Sequence, residues 1–434
     1  MSPHVGELDR TAPRSAMNIT IPEFCLVALL GSASDEERCQ FLQRHFKGGE
    51  IVAPKACRWL VADEDDGAAD DAADLVRCIV EKRLKRRRLT AVDASGLSRE
   101  ERAHLVNLAR RYHAATVAIV VGEGRVETTD GQSAPAGHDR FGEYVDLRSA
   151  ARLASAVLER RPIRTDLRHV HGPFDIIGDV HGCADELEDL LRRLGYTVRL
   201  EGSGEERRAI TTTPPGRRAS FVGDLVDRGP RSPDVLRIAM GMVAAGQAFA
   251  VPGNHDIKFL RWLGGRNVKL THGLDRTVAQ MAHEPPAFKH EVAAFLDGLV
   301  SHAWLDGGRL AVAHAGIKEE MLGRSARAVR EFCLYGETSG ETDEFGLPIR
   351  YHWAADYRGK TAIVYGHTPV PEAAWFNNTL CIDTGAVFGG KLTALRWPEK
   401  EIVSVPAARV YSEPIRPFGH PPPRPRDMPV DRRL

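Results

Sequence analysis

The chain has 434 residues, carries 59 acidic and 59 basic side chains, and is 43% apolar. This length exceeds one ordinary domain, so we expect two globular domains that each bury a core. The formal net charge of zero argues against a protein that coats nucleic acid, although a local basic cleft is compatible with it.

The cysteine content and the N-terminus point to the compartment. Seven cysteines are present, an odd number, and none forms a Cys-x-x-Cys pair, which favours a reduced intracellular protein over a disulfide scaffold. Residues 1–20 lack the apolar region of a signal peptide. No apolar run is long enough to cross a membrane. The sequence therefore predicts a cytoplasmic protein that does not associate with membranes.

The first 160 residues read as an arm followed by one domain. Residues 1–17 predict a disordered arm, and the apolar run 24–30 predicts a buried strand that ends at Gly31. Further strands are predicted at 90–93 and 116–121, with helices at 72–89, 98–112 and 149–159. Alternating strands and helices predict a parallel α/β domain over residues 18–160.

A linker, a second domain and a tail follow. Residues 161–173 contain arginines and prolines and predict a linker, and residues 174–405 predict a second α/β domain. Residues 406–434 are rich in proline, which predicts an extended or disordered tail.

Five segments of the second domain share one design, an apolar strand followed directly by polar residues. They are residues 174–182, 221–229, 251–256, 310–316 and 363–369. Ligands bind beyond the carboxyl ends of parallel strands, so the five strand ends are expected to meet at one rim. A lone Asp-x-His pair is usually a pair of surface or helix-capping residues without a catalytic role. The prediction of a metal site therefore depends on the five segments together.

The polar residues at these strand ends form a set of metal ligands. Carboxylate, imidazole and amide oxygen together suit two divalent ions of the Mn, Fe or Zn type, and the predicted ligands are Asp179, His181, Asp224, Asn254, His314 and His367. The first two lie two residues apart on an extended segment and can share one ion. Asp224 has two oxygens and can bridge both ions. The other three complete the second site, although His367 could serve the first instead.

Three neighbouring residues have catalytic chemistry. His255 follows a ligand and is placed to protonate a leaving alkoxide. Asp227 can fix the tautomer of that imidazole, and Arg228 offers a planar guanidinium to phosphate oxygens. Two divalent ions activate water and neutralise phosphoryl oxygens, so the predicted chemistry is phosphoester hydrolysis.

The motifs G-D-x-H-G, G-D-x-x-D-R-G, G-N-H-[DE], H-A-G and G-H-T-P all stand in these segments. With them the second domain resembles the calcineurin-like metallophosphoesterases. The resemblance implies an α/β sandwich and assigns the same ligand and acid roles to the residues named above.

Four other segments carry a closer resemblance, namely residues 271–277, 335–348, 353–360 and 381–390. They look like the phosphatase module of bacterial polynucleotide kinase-phosphatase, an RNA-repair enzyme, over roughly residues 172–412. The resemblance implies removal of 2′,3′-cyclic and 2′/3′-terminal phosphates from RNA ends, an active-site role for Asp383, and Mn²⁺ as the favoured metal, with Ni²⁺, Fe or Zn²⁺ as alternatives. We expect the ligase module of that family to come from another polypeptide.

The first domain resembles the P-loop kinase module of the same family, with departures. Residues 31–38 keep Gly31 but lack the second glycine, the lysine and the hydroxyl residue of G-x-x-x-x-G-K-[ST]. Glu36 and Glu37 would repel a triphosphate, and Lys55 stands where the kinase has its general-base aspartate. We therefore expect an inactive kinase-like domain used for docking, with a separately encoded RNA ligase or an RNA 3′-terminal methyltransferase as partner.

Three functions remain open on sequence alone. The first is an RNA-end phosphatase that acts in RNA repair. The second keeps the catalytic centre but changes the substrate, to dinucleoside polyphosphates or phosphoproteins. The third is a scaffold subunit of an RNA repair complex, which the intact ligand set with His255 and Arg228 disfavours as the sole role.

Overall fold

The computed structural model describes residues 17–62, 69–122, 126–127, 133–134 and 140–416. The chain divides into two compact units, Met1–Ile163 and Arg164–Leu434. The predicted disordered arm lies outside the described residues except for Met17, which begins the first strand. None of the described helices combines the length and the apolar character that crossing a membrane requires.

The first unit is built on a parallel sheet. Its elements are β1 (Met17–Pro22), β2 (Cys25–Gly31), α1 (Asp35–His45), β3 (Ile51–Val52), α2 (Pro54–Ala62), α3 (Ala69–Lys85), β4 (Thr90–Asp93), α4 (Arg99–Arg111), β5 (Ala115–Val121), β6 (Val126–Glu127), β7 (Ser133–Ala134), β8 (Glu143–Leu147), α5 (Ala150–Ser155) and β9 (Ala156–Arg161). Five strands form the sheet in the order β3-β4-β2-β5-β8, and all neighbours are parallel. Alternate residues of β2 pack into two different apolar clusters, one on each face. The parallel α/β prediction for this region is confirmed.

The helix predicted at 149–159 differs from the structure. Only α5 forms, and the chain then turns into β9, which pairs in parallel with β1 over six residues. The backbone groups of 156–161 find partners in β1, so pairing with a distant segment overrides a local helical pattern.

The second unit contains two sheets and the helices that cover them. Its elements are β10 (Asp166–Leu167), β11 (Phe174–Ile177), α6 (Ala184–Arg193), β12 (Thr197–Glu201), β13 (Arg208–Thr212), β14 (Arg218–Phe221), α7 (Ser232–Ala244), β15 (Ala248–Ala250), α8 (Asn254–Leu263), α9 (Leu274–Ala282), α10 (Pro286–Gly298), β16 (His302–Leu305), β17 (Leu310–Ala313), α11 (Arg327–Tyr335), β18 (Thr338–Thr342), β19 (Pro348–Arg350), α12 (Trp353–Asp356), β20 (Ala362–Tyr365), β21 (Trp375–Phe376), β22 (Thr379–Cys381), β23 (Lys391–Trp397) and β24 (Glu401–Pro406). The sheet orders are β15-β14-β11-β23-β24 and β10-β16-β17-β20-β22-β21.

The two sheets pack face to face as a sandwich. Phe174 and Ile176 of the first sheet meet Leu310 and Val312 of the second in one buried cluster. The alternate residues of these strands face outward, where α6 and α7 cover the first sheet and α11 and α12 cover the second. The α/β sandwich expected for this domain is confirmed.

Both flanks of the second domain are structured in part. The predicted linker 161–173 contains β10, which pairs with β16 inside the second unit. The predicted tail is described as far as residue 416. Within it, the backbone amides of Tyr411 and Ser412 donate to the carbonyl oxygen of Val387. The rest of the predicted tail lies outside the described residues.

Candidate active site

All six predicted ligands follow the carboxyl ends of parallel strands. Asp179 and His181 follow β11, Asp224 follows β14 and Asn254 follows β15, all in the first sheet. The second sheet contributes the two histidines that follow β17 and β20, and Asp383, which follows β22. The packing of the two sheets therefore brings both groups to one edge of the sandwich, as expected for parallel strands.

The ligand loops hold several side chains with left-handed backbone conformations. The φ angles are 44° at His181, 49° at Asp224, 76° at Asp227, 68° at Arg228 and 75° at His367. Residues other than glycine adopt this region rarely, at a cost of about 1–3 kcal/mol each, and such residues concentrate at functional sites. The surrounding fold therefore stabilises an arrangement that the local chain disfavours.

Two imidazoles are oriented by backbone carbonyls. His181 Nδ1 lies 2.8 Å from the carbonyl oxygen of Val226, and His314 Nδ1 lies 3.1 Å from that of Val222. A carbonyl can only accept, so each Nδ1 carries the proton and each Nε2 keeps its lone pair. This arrangement is typical of histidines that bind metals.

The lone pair of His314 meets other electron-pair donors. Its Nε2 lies 3.0 Å from Asn254 Oδ1 and 3.4 Å from Asp224 Oδ1, and His367 Nδ1 is 3.0 Å away. An imidazole lone pair and an ionised carboxylate oxygen have no hydrogen to share, so their close approach favours a cation between them. The donor set fits the second metal site that the sequence predicts.

Asp224 links this group to a second one. Its carboxylate lies within 4.8 Å of donor atoms in two clusters, one with His314 and His367 and one with His181 and His255. The structure therefore places Asp224 where the sequence predicts the bridging ligand. Two further donor atoms, Asp179 Oδ1 and His367 Nε2, are buried and have no hydrogen-bond partner among the described residues. Buried polar atoms are rarely left so, which fits a metal ligand role for both.

Two glycines make room for the ligand carboxylates. A Cβ at Gly366 would lie 1.8 Å from Asp179 Oδ1, and a Cβ at Gly253 would lie 2.0 Å from Asp224 Oδ1. Both distances are far below van der Waals contact, so any side chain at these two positions would displace a ligand. The glycines of the G-H-T-P and G-N-H motifs are thus explained by the approach of a carboxylate to the backbone.

The electrostatics of the cluster favour a cation. Burial raises the pKa of Asp224 and of Asp383 to about 7, and burial with the charge of Asp383 raises the pKa of Asp179 well above its usual range. Burial lowers the pKa of His314 to about 3, so this imidazole is neutral at physiological pH, the form that can bind a metal. Divalent ions would compensate the buried carboxylates, and the residues present fit such ions.

We expect metal removal to make stability depend on pH. Between pH 7.5 and 8.5 the histidines are almost wholly neutral in both the folded and the unfolded state. Burial raises the pKa of Asp227 to about 8, so this carboxyl still holds a proton in much of the folded protein. The carboxylates with a folded pKa of about 7 bind more protons when folded. The free energy of unfolding of the metal-free protein should therefore fall as pH rises, by about 1 kcal/mol per pH unit, which corresponds to a few degrees in Tm.

Tryptophan fluorescence can follow this unfolding, because five of the six tryptophans lie in the second unit. Protein reloaded with Mn²⁺ is the control and should show a smaller slope, because bound cations keep the carboxylates ionised. A Tm that is flat or rises with pH in the metal-free protein would contradict the assignment of these carboxylates.

His255, the predicted general acid, is held in place by a hydrogen bond to Asp227, which is itself held by Thr277. His255 Nδ1 lies 2.6 Å from Asp227 Oδ2, and the hydroxyl of Thr277 donates to Asp227 Oδ1 at 2.8 Å. The backbone amide of Asp227 in turn donates to the Thr277 hydroxyl at 2.9 Å. Asp227 thus contacts Nδ1 of His255, the position from which it could orient this imidazole. Thr277 was not singled out from the sequence, although it ends the segment 271–277 that carried the closer resemblance.

Two other residues of the site were missed. Asp256 is fully buried and accepts from the amides of Gly253 and Leu225, each at 2.9 Å, so it ties together two of the ligand loops. Asp256 could have been found from the sequence, because it is the acidic last residue of the G-N-H-[DE] motif. Arg350 is the last residue of β19. Burial is the largest cause that lowers the pKa of His314 and of His367, and the positive charge of Arg350 is a smaller cause of both shifts. The Nε of Arg350 donates to the carbonyl oxygen of Tyr335 at 3.2 Å, which holds this guanidinium in place.

Arg228 lies at the centre as predicted. Its Nη1 is 2.7 Å from His181 Nε2, and its guanidinium lies 5.1 Å from the ring centroid of Phe388. The aromatic ring fixes the side chain while the guanidinium remains in contact with the ligand cluster. A substrate phosphate at the centre would therefore lie beside Arg228, and the charge of Arg350 on the β18–β19 hairpin would act on it as well.

The altered loop of the first unit is filled by its own side chains. Arg38, which stands where the P-loop motif has a hydroxyl residue, contacts both carboxylate oxygens of Asp93 at 3.2 Å. It also donates to the carbonyl oxygen of Ala33 and pairs with Asp35, which in turn pairs with Lys55. A loop carbonyl oxygen and the carboxylates of Asp35 and Asp93 thus surround a guanidinium, where a P-loop would surround a phosphate with its amides.

We expect no 5′-kinase activity from this unit. The Arg38 network occupies the loop, and Lys55 replaces the base that would accept a hydroxyl proton. The measurement is transfer of label from γ-labelled ATP to a 5′-hydroxyl RNA, made with an Asp224→Asn chain so that the phosphatase cannot remove the product. Labelled RNA above the level without enzyme would overturn the prediction.

Comparison with known proteins bears on the second unit. Residues 172–394, just over half of the chain, match the family model of calcineurin-like phosphoesterases. The bis(5′-nucleosyl)-tetraphosphatase PrpE [asymmetrical] of Anoxybacillus flavithermus is 45% identical over 250 residues, which cover 56% of this chain and 99% of that protein. The proteins of the same name from Halalkalibacterium halodurans and Bacillus subtilis are 46% identical over 250 residues (56% and 98%) and 43% identical over 244 residues (55% and 97%).

These relatives bear on the substrates predicted from sequence. All three are named as bis(5′-nucleosyl)-tetraphosphatases, which matches one of the substrate alternatives predicted from the sequence. None of the three is named as a polynucleotide kinase-phosphatase, so the closer resemblance to the RNA-repair enzyme finds no support in them. The family model begins at residue 172, and the kinase-like interpretation of the first unit stays a prediction.

Proposed function

Since the chain belongs to the calcineurin-like phosphoesterases, and so is a metal-dependent phosphoester hydrolase, we propose that its substrates are dinucleoside polyphosphates. The observation that carries this proposal is the 45% identity to a bis(5′-nucleosyl)-tetraphosphatase along 99% of that protein's length. Identity at this level over a whole chain supports a shared reaction more strongly than a fold alone can.

The ligand set describes how the centre would work. Two divalent ions, when bound, activate water and neutralise the phosphoryl oxygens that receive it. In our proposal the ions are held by Asp179, His181 and Asp224 on one side and by Asp224, Asn254, His314 and His367 on the other. The physiological metal remains a proposal too, with Mn²⁺ favoured and Ni²⁺, Fe or Zn²⁺ as alternatives.

The arginines suit a polyanionic substrate. Arg228 lies 2.7 Å from His181 Nε2, and the charge of Arg350 reaches His314 and His367. A tetraphosphate bridge spreads several negative charges along a chain, so phosphates next to the reacting one can pair with Arg228 while the charge of Arg350 adds to the attraction. A phosphopeptide presents a single phosphate and would use such an arrangement less fully.

The role of His255 as a general acid depends on the bound substrate and on its leaving group. Burial and then the charge of Arg228 lower the pKa of His255 well below its usual range, so a proton on Nε2 depends on the negative charge that a substrate phosphate brings. A leaving nucleotide is a stable anion and needs little protonation, whereas a leaving ribose oxygen needs a proton. Cleavage of an anhydride therefore depends less on His255 than cleavage of a ribose ester does.

Phosphate removal from RNA ends is kept as a second candidate because of one observation. Asp383, which the resemblance to the RNA-repair phosphatase singles out, is buried, and its charge raises the pKa of Asp179. This places the residue within electrostatic reach of a ligand. An RNA ligase or an RNA 3′-terminal methyltransferase as partner would follow only from this candidate.

A side-by-side assay tests the proposal. We would measure kcat/KM with Mn²⁺ for diadenosine tetraphosphate, for an RNA ending in a 2′,3′-cyclic phosphate, and for a phosphopeptide. We expect the dinucleotide to be preferred by about tenfold or more. Chromatography should show AMP and ATP, in keeping with the asymmetrical cleavage in the names of the relatives. Preference for the RNA would replace the proposal with the second candidate.

A further inference from the structure

A cavity of about 520 Å³ lies beside the ligand cluster and contains none of its ligands. It is bounded by the loop at Gly229 and Pro230, by helix α9, and by residues 407–412, which we call the strap. The volume is in the range of small-molecule sites, about 300–1,000 Å³, and is sufficient for a nucleoside phosphate.

Hydrogen bonds hold the walls of this cavity in place. Arg276 Nη1 donates to the carbonyl oxygens of Arg228 and Tyr411, each at 2.7 Å. Gln280 donates to the carbonyl oxygen of Gly229 at 2.9 Å. The Tyr411 hydroxyl donates to Glu186 at 2.8 Å, which fixes the strap from its other side. Tyr411 thus anchors the strap to the domain through both its backbone carbonyl and its hydroxyl, so the walls of the cavity are held by specific hydrogen bonds.

The lining is basic and aromatic. Arg276 and Arg409 contribute two guanidinium groups, and no carboxylate belongs to the lining. Within the part of the chain that the structure describes, both hydrogen bonds of the Arg276 side chain use Nη1, which leaves Nη2 and Nε for a ligand. Arg409 makes no ion pair within the described part of the chain, and its guanidinium lies 5.1 Å from the ring centroid of Tyr411. Arginine and tyrosine side by side offer a charge for phosphate and flat surfaces for a base.

Arg228 connects the cavity to the reacting centre. Its carbonyl oxygen accepts from Arg276 in the cavity wall, while its guanidinium lies 2.7 Å from His181 Nε2. The cavity is therefore about one arginine side chain away from the ligand cluster. A substrate with its reacting phosphate at the cluster would extend along Arg228 into the cavity if it had a second charged end.

We propose that this cavity binds the nucleoside phosphate of the substrate that lies beyond the cleaved bond. The inference rests on the proposed function, because only a substrate with two nucleotide ends needs a second site of this kind. It predicts that discrimination in favour of dinucleotides depends on Arg409, which lies in the strap and outside the five motifs that identify the family.

The test uses the full chain with Arg409→Glu, and Arg199→Ala as the control. Arg199 is an exposed arginine on the β12–β13 hairpin and is not part of the lining. Two quantities are measured at constant free Mn²⁺. One is the ratio of kcat/KM for diadenosine tetraphosphate to that for p-nitrophenyl phosphate. The other is the inhibition constant of ATP, compared with that of inorganic phosphate.

We expect Arg409→Glu to lower the kcat/KM ratio about tenfold, and to raise the inhibition constant of ATP by a similar factor but that of phosphate much less. Arg199→Ala should change neither. Equal effects on ATP and phosphate, or no effect on either quantity, would overturn the assignment of the cavity. If the wild-type protein fails to cleave diadenosine tetraphosphate while Arg409→Glu still weakens ATP, the proposed function is wrong and the nucleotide site stands.

Discussion

Asp224→Asn is expected to lower kcat by about 10³-fold or more on every substrate of the enzyme, because metal catalysis supplies several kcal/mol. Asp224 belongs to both donor clusters, one with His181 and His255 and one with His314 and His367. Asparagine keeps one oxygen but loses the negative charge and the second oxygen, so neither ion is held as before. The same chain should bind Mn²⁺ more weakly in equilibrium dialysis.

The folded state should survive this change. The amide of His255 donates to Asp224 Oδ1 at 3.0 Å, and an asparagine oxygen can accept the same hydrogen bond. Asp297→Asn is a matched control, since it removes an exposed carboxylate of α10 in the same unit. A turnover close to wild type with both ions bound would exclude the bridging role of Asp224.

His255→Ala should slow substrates with alkoxide leaving groups by about 10²–10⁴-fold and p-nitrophenyl esters far less. The nitrophenolate leaves without a proton, whereas a ribose oxygen must receive one. The 2.6 Å contact between His255 Nδ1 and Asp227 Oδ2 leaves Nε2 as the nitrogen that faces the leaving group. The measurement is kcat for a 2′,3′-cyclic nucleotide and for p-nitrophenyl phosphate with the same preparation.

A matched control keeps the comparison specific. His283 is an exposed histidine that follows α9, and His283→Ala should leave both rates unchanged. If His255→Ala reduces the two substrates equally, the residue supports the geometry of the centre and does not act as the acid.

The sequence predicted the ligand loops well because their signal is local. Each ligand stands directly after an apolar strand, and parallel strands bring their carboxyl ends to one edge whatever the rest of the chain does. The apolar face of α6 has an equally local pattern, because its leucines stand at helical spacing. Leu187, Leu190, Leu191 and Leu194 are all buried, and Gly195 follows with a φ of 94°.

The remaining parts depend on contacts that the local sequence does not encode. The helix expected at 149–159 gives way to β9 because its partner β1 lies more than a hundred residues earlier. Arg350 and Arg409 reach the region of the centre through the packing of β19 and of the strap, and nothing in their neighbouring residues predicts this. The substrate is a similar case, since diadenosine tetraphosphate and an RNA end present the same reacting group to the same ligands.

The division of the ligands between the two sheets has a mechanical consequence. The two layers meet largely through apolar side chains, which permit small sliding movements. Ions held jointly by loops that follow β11 and β14 on one side and β17 and β20 on the other would clamp the layers together. Removal of the ions by a chelator should therefore reduce the protection of buried amides against hydrogen exchange along whole strands of both sheets. The ions would then stabilise the packing of the two sheets in addition to their role in catalysis.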